Sequence, residues 1–116
     1  MCLSTLLTDS ARCDATDLGR IARASAAAGF RSVALWSWQA AEMGVDAART
    51  VLDAAGVTVR LAEARTRWAE GPDAAVEALE EQLDVLGALG AEQMLAVSKQ
   101  ATMDVPRAVD GFAALC

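Results

Sequence analysis

The chain has 116 residues, of which 54% are hydrophobic, and a net charge of −6. This length suits one ordinary domain, residues 1–116, and the composition excludes a disordered chain. The cations are scattered arginines plus the single lysine Lys99, so we expect no nucleic-acid partner. Charged residues interrupt each apolar stretch before it is long enough to span a membrane, so we expect no membrane span.

Short apolar runs alternate with helical patterns from the beginning of the sequence to its end. Helical patterns end at Gly29, Gly56 and Gly90, and glycine suits the left-handed position that follows a helix. These glycines recur about every 30 residues, the length of one strand plus one helix. The runs between them predict strands at residues 2–7, 32–36, 58–63 and 93–97.

The predicted helices have recognisable starts and apolar stripes. Asp14 or Thr16 can cap the first, Pro72 fits the first turn of the third, and Asp104 can cap the fourth. Two stripes are expected to be apolar: Val76, Leu79, Leu83 and Leu86 in the third helix, and Val105, Val109 and Phe112 in the fourth.

This alternation predicts an α/β fold of four consecutive βα units with a parallel sheet. Two architectures remain open: an open doubly wound sheet, and part of a (β/α)8 barrel, which takes about 250 residues. The turns after the strands contain neither GxGxxG nor GxxxxGK[ST]. They are longer than the turns that enter the strands, so functional side chains are expected at the carboxyl ends of the strands.

The cysteines favour a reducing compartment. Cys2, Cys13 and Cys116 are odd in number and show no CxxC spacing, and the sequence has no histidine. A zinc site built from them is therefore not expected, and Cys13 lacks the histidine partner of a nucleophilic cysteine. The first residues also lack the basic segment of a signal peptide, so a cytoplasmic protein is expected.

Two tryptophans mark the end of the second strand. Strand alternation puts Trp36 and Trp38 on the face shared with Ala34. If that face lines a pocket, the indoles can stack against the C–H face of a sugar. The alternative is that they fill the core, which we favour for Trp36 and hold equally open for Trp38.

A carboxylate ends the third strand. Glu63 is predicted on the same face as Val59 and Leu61, where it can orient a substrate hydroxyl or act as an acid or base. An ion pair with Arg65 or Arg67 is the alternative, and it is the one that we slightly favour.

Further polar residues follow the third and fourth strands. Arg67, next to Trp68, can hold a phosphate, or the two can form a structural cation–π pair. Ser98 and Lys99 close the fourth strand, where a lysine can bind a carboxylate or phosphate; the alternative is a solvated lysine. The candidate substrate-binding residues are therefore Trp36, Trp38, Glu63, Arg67, Ser98 and Lys99.

Several segments together resemble the sugar isomerase/epimerase superfamily, the xylose-isomerase-like or endonuclease-IV-like TIM barrels. The resemblance spans nearly the whole chain and is carried by the order and spacing of "STLLT", "DLGRIARASAAAGFRSVALW", "AAGVTVRLAEARTRW" and "PDAAVEALEEQLDVLGALGAEQMLAVS". It implies the first half of a (β/α)8 barrel whose full-length members are divalent-metal enzymes, with Mn, Mg, Co or Zn, that move a proton on a sugar or sugar phosphate.

The residues that carry this chemistry in the family have no counterparts here. The resemblance implies a Glu, Asp, His and Glu ligand set on later strands, whereas this sequence ends at Cys116, within the fourth helix. No metal ligand or catalytic residue can be carried over, and Ala34 replaces a glutamate frequent in the family's second strand. The lack of histidine also disfavours the zinc-binding DNA-repair branch.

Three hypotheses follow. The chain is the amino-terminal half of a sugar isomerase/epimerase-like barrel, without metal and inactive alone. Alternatively, it is a non-catalytic α/β module that binds a partner or assembles with itself, because a half barrel leaves two sheet edges unpaired. A compact flavodoxin-like domain is the third possibility. Self-association through the open edges is expected for a half barrel.

Overall fold

A computed structural model describes residues 2–4, 14–98 and 103–116. Strands and helices alternate along this part of the chain, and Trp68–Glu70 forms one 3₁₀ turn. The elements are β1 (Cys2–Ser4), α1 (Ala15–Ala27), β2 (Ser32–Trp36), α2 (Ser37–Met43), α3 (Val45–Ala55), β3 (Thr58–Arg65), α4 (Pro72–Leu89), β4 (Gln93–Val97) and α5 (Val105–Ala113).

The strands form one parallel sheet in the order β1-β2-β3-β4. The predicted α/β fold of consecutive βα units is therefore confirmed. A doubly wound sheet, including the flavodoxin-like one, needs a point where the strand order reverses. In the described residues the order runs in one direction only, so that alternative is wrong and the sheet resembles half of a (β/α)8 barrel.

The helices cover one face of the sheet, and the core lies between them. Val33 and Leu35 of β2 and Val59, Ala62 and Ala64 of β3 are all buried on that face. The helices contribute the opposing side chains: Leu18, Ala22, Ala40, Ala48, Leu52, Leu86 and Leu89. Because the apolar side chains of α1, α3 and α4 meet this one face, the alternate side chains of each strand lie on a second, open face.

Predicted helix ends are confirmed where a cap fixes them. The Asp14 carboxylate accepts a hydrogen bond from the backbone N–H of Asp17 at 2.9 Å, and Asp104 accepts one from Arg107 at 3.3 Å. Gly56 and Gly90 end α3 and α4 in the left-handed region, with φ of 66° and 65°. A residue with a Cβ would be strained there, so glycine fixes the point at which the chain turns back to the sheet.

Other boundaries differ from those expected. The segment after Trp36, predicted as a turn, forms α2, so β2 leads directly into a helix. The third strand continues two residues beyond Glu63, to Arg65. The first strand was predicted to reach residue 7, but residues 5–7 lie outside the described part of the chain.

The predicted stripe of α4 is wrong in part. Val76 and Leu83 are 40% and 52% exposed, whereas Ala75 and Ala78 are buried. Leu86, which belongs to the predicted stripe, is buried, and so is Leu89. In the first half of α4 the small side chains of Ala75 and Ala78 allow the helix axis to approach its neighbours closely, so the alanines face inward there and Val76 does not.

A register shift between β2 and β3 alters which residues share a face. Val33 pairs with Val59, but the next residue, Ala34, pairs with Leu61, so Arg60 is an extra residue in β3. Leu61 and Glu63 therefore lie on the open face, opposite to the buried Val59. The prediction that Glu63 shares a face with Val59 is wrong, because strict alternation does not survive such a shift.

Of the helices that the structure describes, none has the length and apolar character needed to cross a bilayer.

Candidate functional site

The open face carries rows of residues that run across the sheet. One row joins Ala34 of β2, Leu61 of β3 and Gln93 of β4. The next row, nearer the carboxyl ends of the strands, joins Trp36, Glu63 and Leu95. In a (β/α)8 barrel such rows form the interior layers, and the row at the carboxyl ends borders the active site.

Three side chains form a cluster at the carboxyl ends of β2 and β3. The indoles of Trp36 and Trp38 stack with ring centroids 5.0 Å apart and planes inclined by 22°. The guanidinium carbon of Arg65 lies 4.1 Å from the centroid of the Trp38 ring. We call Trp36, Trp38 and Arg65 the indole–arginine cluster. Stacking and the cation–π contact fix the two rings relative to each other.

The backbone explains how Trp38 reaches this position. Strand alternation does not put it there, because β2 ends at Trp36 and Trp38 lies in the first turn of α2. The prediction that strand alternation places Trp38 on the face of Ala34 is therefore wrong, although the Trp38 ring stacks on that of Trp36. Both residues are partly exposed, and the Trp36 Nε1–H group is buried without an acceptor among the described residues.

Glu63 lies beside the cluster. It is only 7% exposed, and its row neighbours are Trp36 and Leu95. The predicted ion pair with Arg65 or Arg67 does not form: Arg65 lies over Trp38, and Arg67 binds Glu77. Within residues 14–98 and 103–116 the Glu63 carboxylate has no hydrogen-bond or ion-pair partner. A nearly buried carboxylate without a partner is an acceptor available to a ligand.

A buried hydroxyl anchors the joint between β2 and α2. The Ser37 hydroxyl lies 3.0 Å from the backbone carbonyl oxygen of Glu63 and hydrogen-bonds the side-chain amide of Gln82 in α4. Ser37 is fully buried, so these contacts tie α2 to both β3 and α4. The start of α2, which carries Trp38, is thereby held against the end of β3, which carries Arg65.

Arg67 has a structural role away from the cluster. Its guanidinium donates to the Glu77 carboxylate at 2.6 Å, and this hydrogen bond raises the pKa of Arg67 above its ordinary value. Arg67 also has a left-handed backbone, with φ of 46°, at the start of the 3₁₀ turn. Among the described residues the Arg67 guanidinium binds Glu77, and the cation–π contact found is that of Arg65 with Trp38, so the alternative pairing of Arg67 with Trp68 is wrong.

The 3₁₀ turn is fastened to the end of β4. The Trp68 indole N–H donates to the carbonyl oxygen of Ala96 at 3.4 Å, and its ring meets Phe112 of α5 edge to face at 5.8 Å. The Ser98 hydroxyl accepts the backbone N–H of Ala69 at 3.3 Å. Ser98, predicted to bind substrate, therefore fixes the 3₁₀ turn to the end of β4. Lys99, the other residue predicted there, lies outside the described residues.

The structure thus brings Trp36, Trp38 and Glu63 together and separates Arg67 from them. Arg65 and Ser37 are the residues that sequence reasoning did not select as candidates. Arg65 follows Glu63 by two positions, so a longer third strand would have put it on the same face. Ser37 stands between the two tryptophans, and a small polar residue directly after an apolar strand is the signal that could have found it.

The residues present do not fit the divalent metal that the resemblance implies. Among the residues whose placement is described, no group of three or more Asp, Glu, Cys or His side chains comes together to hold a metal ion. The neighbours of Glu63 in its row are Trp36 and Leu95 rather than further carboxylates. Apolar neighbours of this kind do not replace the oxygen ligands that such a cation needs.

Comparison with known proteins shows that this chain is similar in fold to a solved structure. No family model matches the sequence, and no curated protein does. A solved structure, protein SMc04130 from Sinorhizobium meliloti 1021, superposes with a TM-score of 0.62 at 23% sequence identity. The match covers 97% of this chain and 44% of that protein, so this chain spans less than half of its length. At this identity the likeness concerns the fold alone.

Proposed function

We propose that this chain binds a sugar or sugar phosphate at the carboxyl ends of β2 and β3, as half of a (β/α)8 barrel of the sugar isomerase/epimerase kind. The observation that carries the proposal is the stacked indole pair beside a nearly buried carboxylate, Glu63, that has no partner among the residues the structure describes. The indole pair and the carboxylate lie at the carboxyl ends of parallel strands, which is where barrel enzymes bind their substrates.

The chemistry of the cluster suits a polyhydroxylated ligand. Trp38 lies between Trp36 and Arg65, so the partly exposed ring of Trp36 is the one that offers a flat apolar surface for the C–H face of a pyranose or furanose ring. The Glu63 carboxylate accepts hydrogen bonds from hydroxyl groups, and the Arg65 guanidinium supplies donors that match a hydroxyl or a phosphate. Arg65 is exposed, so a phosphate could reach it without moving the core.

Proton transfer on the bound sugar would need more than this site offers. In the family that the sequence resembles, a divalent cation assists this step, and the described residues bring together no ligand set for one. Glu63 can accept a proton from a substrate carbon or hydroxyl, but among the described residues of the cluster only the Arg65 guanidinium, which lies over Trp38, is a cation that would counter the negative charge left on the substrate oxygen. The chain alone is therefore expected to bind and not to turn over.

A cytoplasmic location is part of the same proposal. Cys116, whose side chain the structure describes, is an exposed free thiol. Exposed thiols of this kind persist in a reducing compartment such as the cytoplasm.

Fluorine NMR of the chain labelled with 5-fluorotryptophan tests the proposal. The sequence has three tryptophans, of which Trp36 and Trp38 belong to the cluster and Trp68 packs against α5. Titration with fructose, fructose 6-phosphate and inorganic phosphate separates recognition of the ring from recognition of the anion. We expect the resonances of Trp36 and Trp38 to shift with the sugars, while that of Trp68 remains in place.

Two variants provide matched controls. Trp38→Ala removes the central ring of the cluster and should abolish the shift of Trp36, whereas Trp68→Phe should preserve the shifts of both remaining resonances. If millimolar fructose and fructose 6-phosphate both leave Trp36 and Trp38 unchanged, or if Trp68 shifts as much as they do, the proposed sugar site is wrong. A response to inorganic phosphate alone would reduce the site to an anion site at Arg65.

A further inference from the structure

Glu63 is an ionisable residue with the surroundings of a core residue. It is only 7% exposed, so this chain already provides nearly all of its surroundings. A carboxylate that leaves water loses the hydration of its charge, and this loss is costly unless a cation or several hydrogen bonds replace it. Its row neighbours do not replace it: Leu95 has no polar side-chain atom, and the Trp36 Nε1–H has no acceptor among the described residues.

The arginines nearest to Glu63 in the sequence are engaged elsewhere. Arg60 and Arg67 form ion pairs with other glutamates at the surface, with N–O distances of 4.0 and 2.6 Å. The guanidinium of Arg65 lies over an indole of the cluster. All three arginines lie within four positions of Glu63, yet in the described part of the chain none pairs with its carboxylate. The negative charge of Glu63 is therefore left for a ligand to neutralise.

We propose that this ligand carries a primary ammonium group, so that the site recognises an amino sugar or an amino sugar phosphate. The inference rests on the sugar site proposed above and names the class of sugar. The ammonium group donates to the Glu63 carboxylate, and the sugar ring lies on the partly exposed indole of Trp36. In an amino sugar phosphate, the phosphate reaches the exposed guanidinium of Arg65.

Charge favours an ammonium group over a hydroxyl group at Glu63. A hydroxyl group donates one hydrogen and leaves the charge of the carboxylate in place, whereas a primary ammonium group offers three hydrogens and an opposite charge. The attraction between opposite charges is stronger where water is largely excluded, as it is around a residue that is 7% exposed. An ammonium group should therefore bind more tightly than a hydroxyl group at the same position of the ring.

The neighbouring indole favours the same group. The face of an indole attracts a cation that lies within about 6 Å of its centroid. Trp36 and Glu63 are paired residues of β2 and β3, and neighbouring strands lie about 4.8 Å apart. A substituent at the edge of a ring on Trp36 can therefore reach Glu63. The small exposed part of Glu63 suits a primary ammonium group and not a bulkier acetamido group.

Titration of the chain labelled with 5-fluorotryptophan tests the inference with matched sugars. Glucosamine, glucose and N-acetylglucosamine carry an amine, a hydroxyl group and an acetamido group at the same carbon, and a primary amine is protonated at about pH 6. From the shifts of Trp36 and Trp38, we expect glucosamine to bind at least about tenfold more tightly than the other two sugars. Ethanolamine, which has the ammonium group without the ring, should bind at least about tenfold more weakly than glucosamine.

Two variants assign the preference to one carboxylate. Glu63→Gln keeps the size of the side chain and an acceptor but removes the charge, so glucosamine should bind no more tightly than glucose while glucose still binds. Glu80→Gln removes the same charge from an exposed position on α4 and should retain the preference of about tenfold. Circular dichroism verifies that both variants are folded, and the sugar series on the unmodified chain does not depend on either of them.

The outcomes separate this inference from the sugar site on which it rests. If glucosamine binds no more tightly than glucose, the ammonium group is wrong and the sugar site stands. A preference that persists in Glu63→Gln would overturn the assignment to Glu63, and equal binding of ethanolamine and glucosamine would show that the ring takes no part. If none of the three sugars moves the resonances of Trp36 and Trp38, the sugar site itself is wrong and the inference fails with it.

Discussion

Helix α5 approaches the 3₁₀ turn so closely that a single methyl group should disrupt the contact. A Cβ atom on Gly111 would lie 2.0 Å from the backbone carbonyl oxygen of Trp68. Since such contacts essentially never fall below 3.0 Å, Gly111→Ala must move α5 by about 1 Å or more. A carbonyl oxygen in the backbone cannot rotate away as a side chain would.

The expected magnitude combines two opposing effects. Overpacking costs about 1–3 kcal/mol and occasionally more, and the upper end of this range applies here because the backbone must move. Replacing a helical glycine with alanine stabilises the helix by about 1 kcal/mol, because alanine has the higher helix propensity. We therefore expect Gly111→Ala to lower the free energy of unfolding by about 2 kcal/mol or more. If α5 moves away instead, the edge-to-face contact of Phe112 with Trp68 is lost.

Two other helical glycines complete a matched series. Gly87 of α4 has nothing within 4 Å of an added Cβ, so Gly87→Ala should stabilise the protein by about 0.5–1 kcal/mol. Gly19 of α1 is intermediate, because the added Cβ would lie 3.3 Å from the Val51 side chain of α3. The expected order of stability is Gly87→Ala, then Gly19→Ala, then Gly111→Ala.

Urea unfolding at one fixed protein concentration measures the series. Far-ultraviolet circular dichroism follows the helices, and tryptophan fluorescence includes Trp68, which reports on the α5 contact. If Gly111→Ala were as stable as the unmodified chain, or more stable than Gly87→Ala, the close packing of α5 on the 3₁₀ turn would be wrong.

Two further substitutions test the core and the first helix cap by the same urea unfolding. Leu35 is fully buried between the sheet and the helices, so Leu35→Ala should lower the free energy of unfolding by about 2–5 kcal/mol. A loss below about 1 kcal/mol would contradict the central position of Leu35 in the core. Asp14→Ala removes the acceptor for the Asp17 N–H and should lower the free energy of unfolding by about 1 kcal/mol. The control, Asp53→Ala on the exposed side of α3, should change this free energy little, and equal effects of the two substitutions would argue against the cap.

Local signals explain why two of the strands and the helix ends were predictable. β2 and β4 have the bounds that their apolar runs indicate, and glycine ends α3 and α4 where a left-handed residue is required. Asp14 and Asp104 cap helices because their short side chains reach the free N–H groups of the first turn. Each of these features depends on residues a few positions apart.

The candidate site was only partly predictable. The indoles and Glu63 follow from their places at strand ends, but the position of Arg65 over Trp38 depends on two strands whose sequences lie far apart. The same holds for Ser37, whose contacts with Glu63 and Gln82 join three elements. The register shift at Arg60 reversed the face of part of β3, and no periodic pattern signals such a shift.

The sequence by itself determined the α/β class, the alternation of strand and helix and the positions where the chain turns, because propensities, caps and glycines act over a few neighbouring residues. Only the tertiary structure decided which face of α4 is buried, that Arg65 rather than Arg67 meets an indole, and that α5 keeps its apolar residues outward. Those outcomes depend on how closely elements approach one another, and that distance is set by the size of side chains that meet only after the chain has folded.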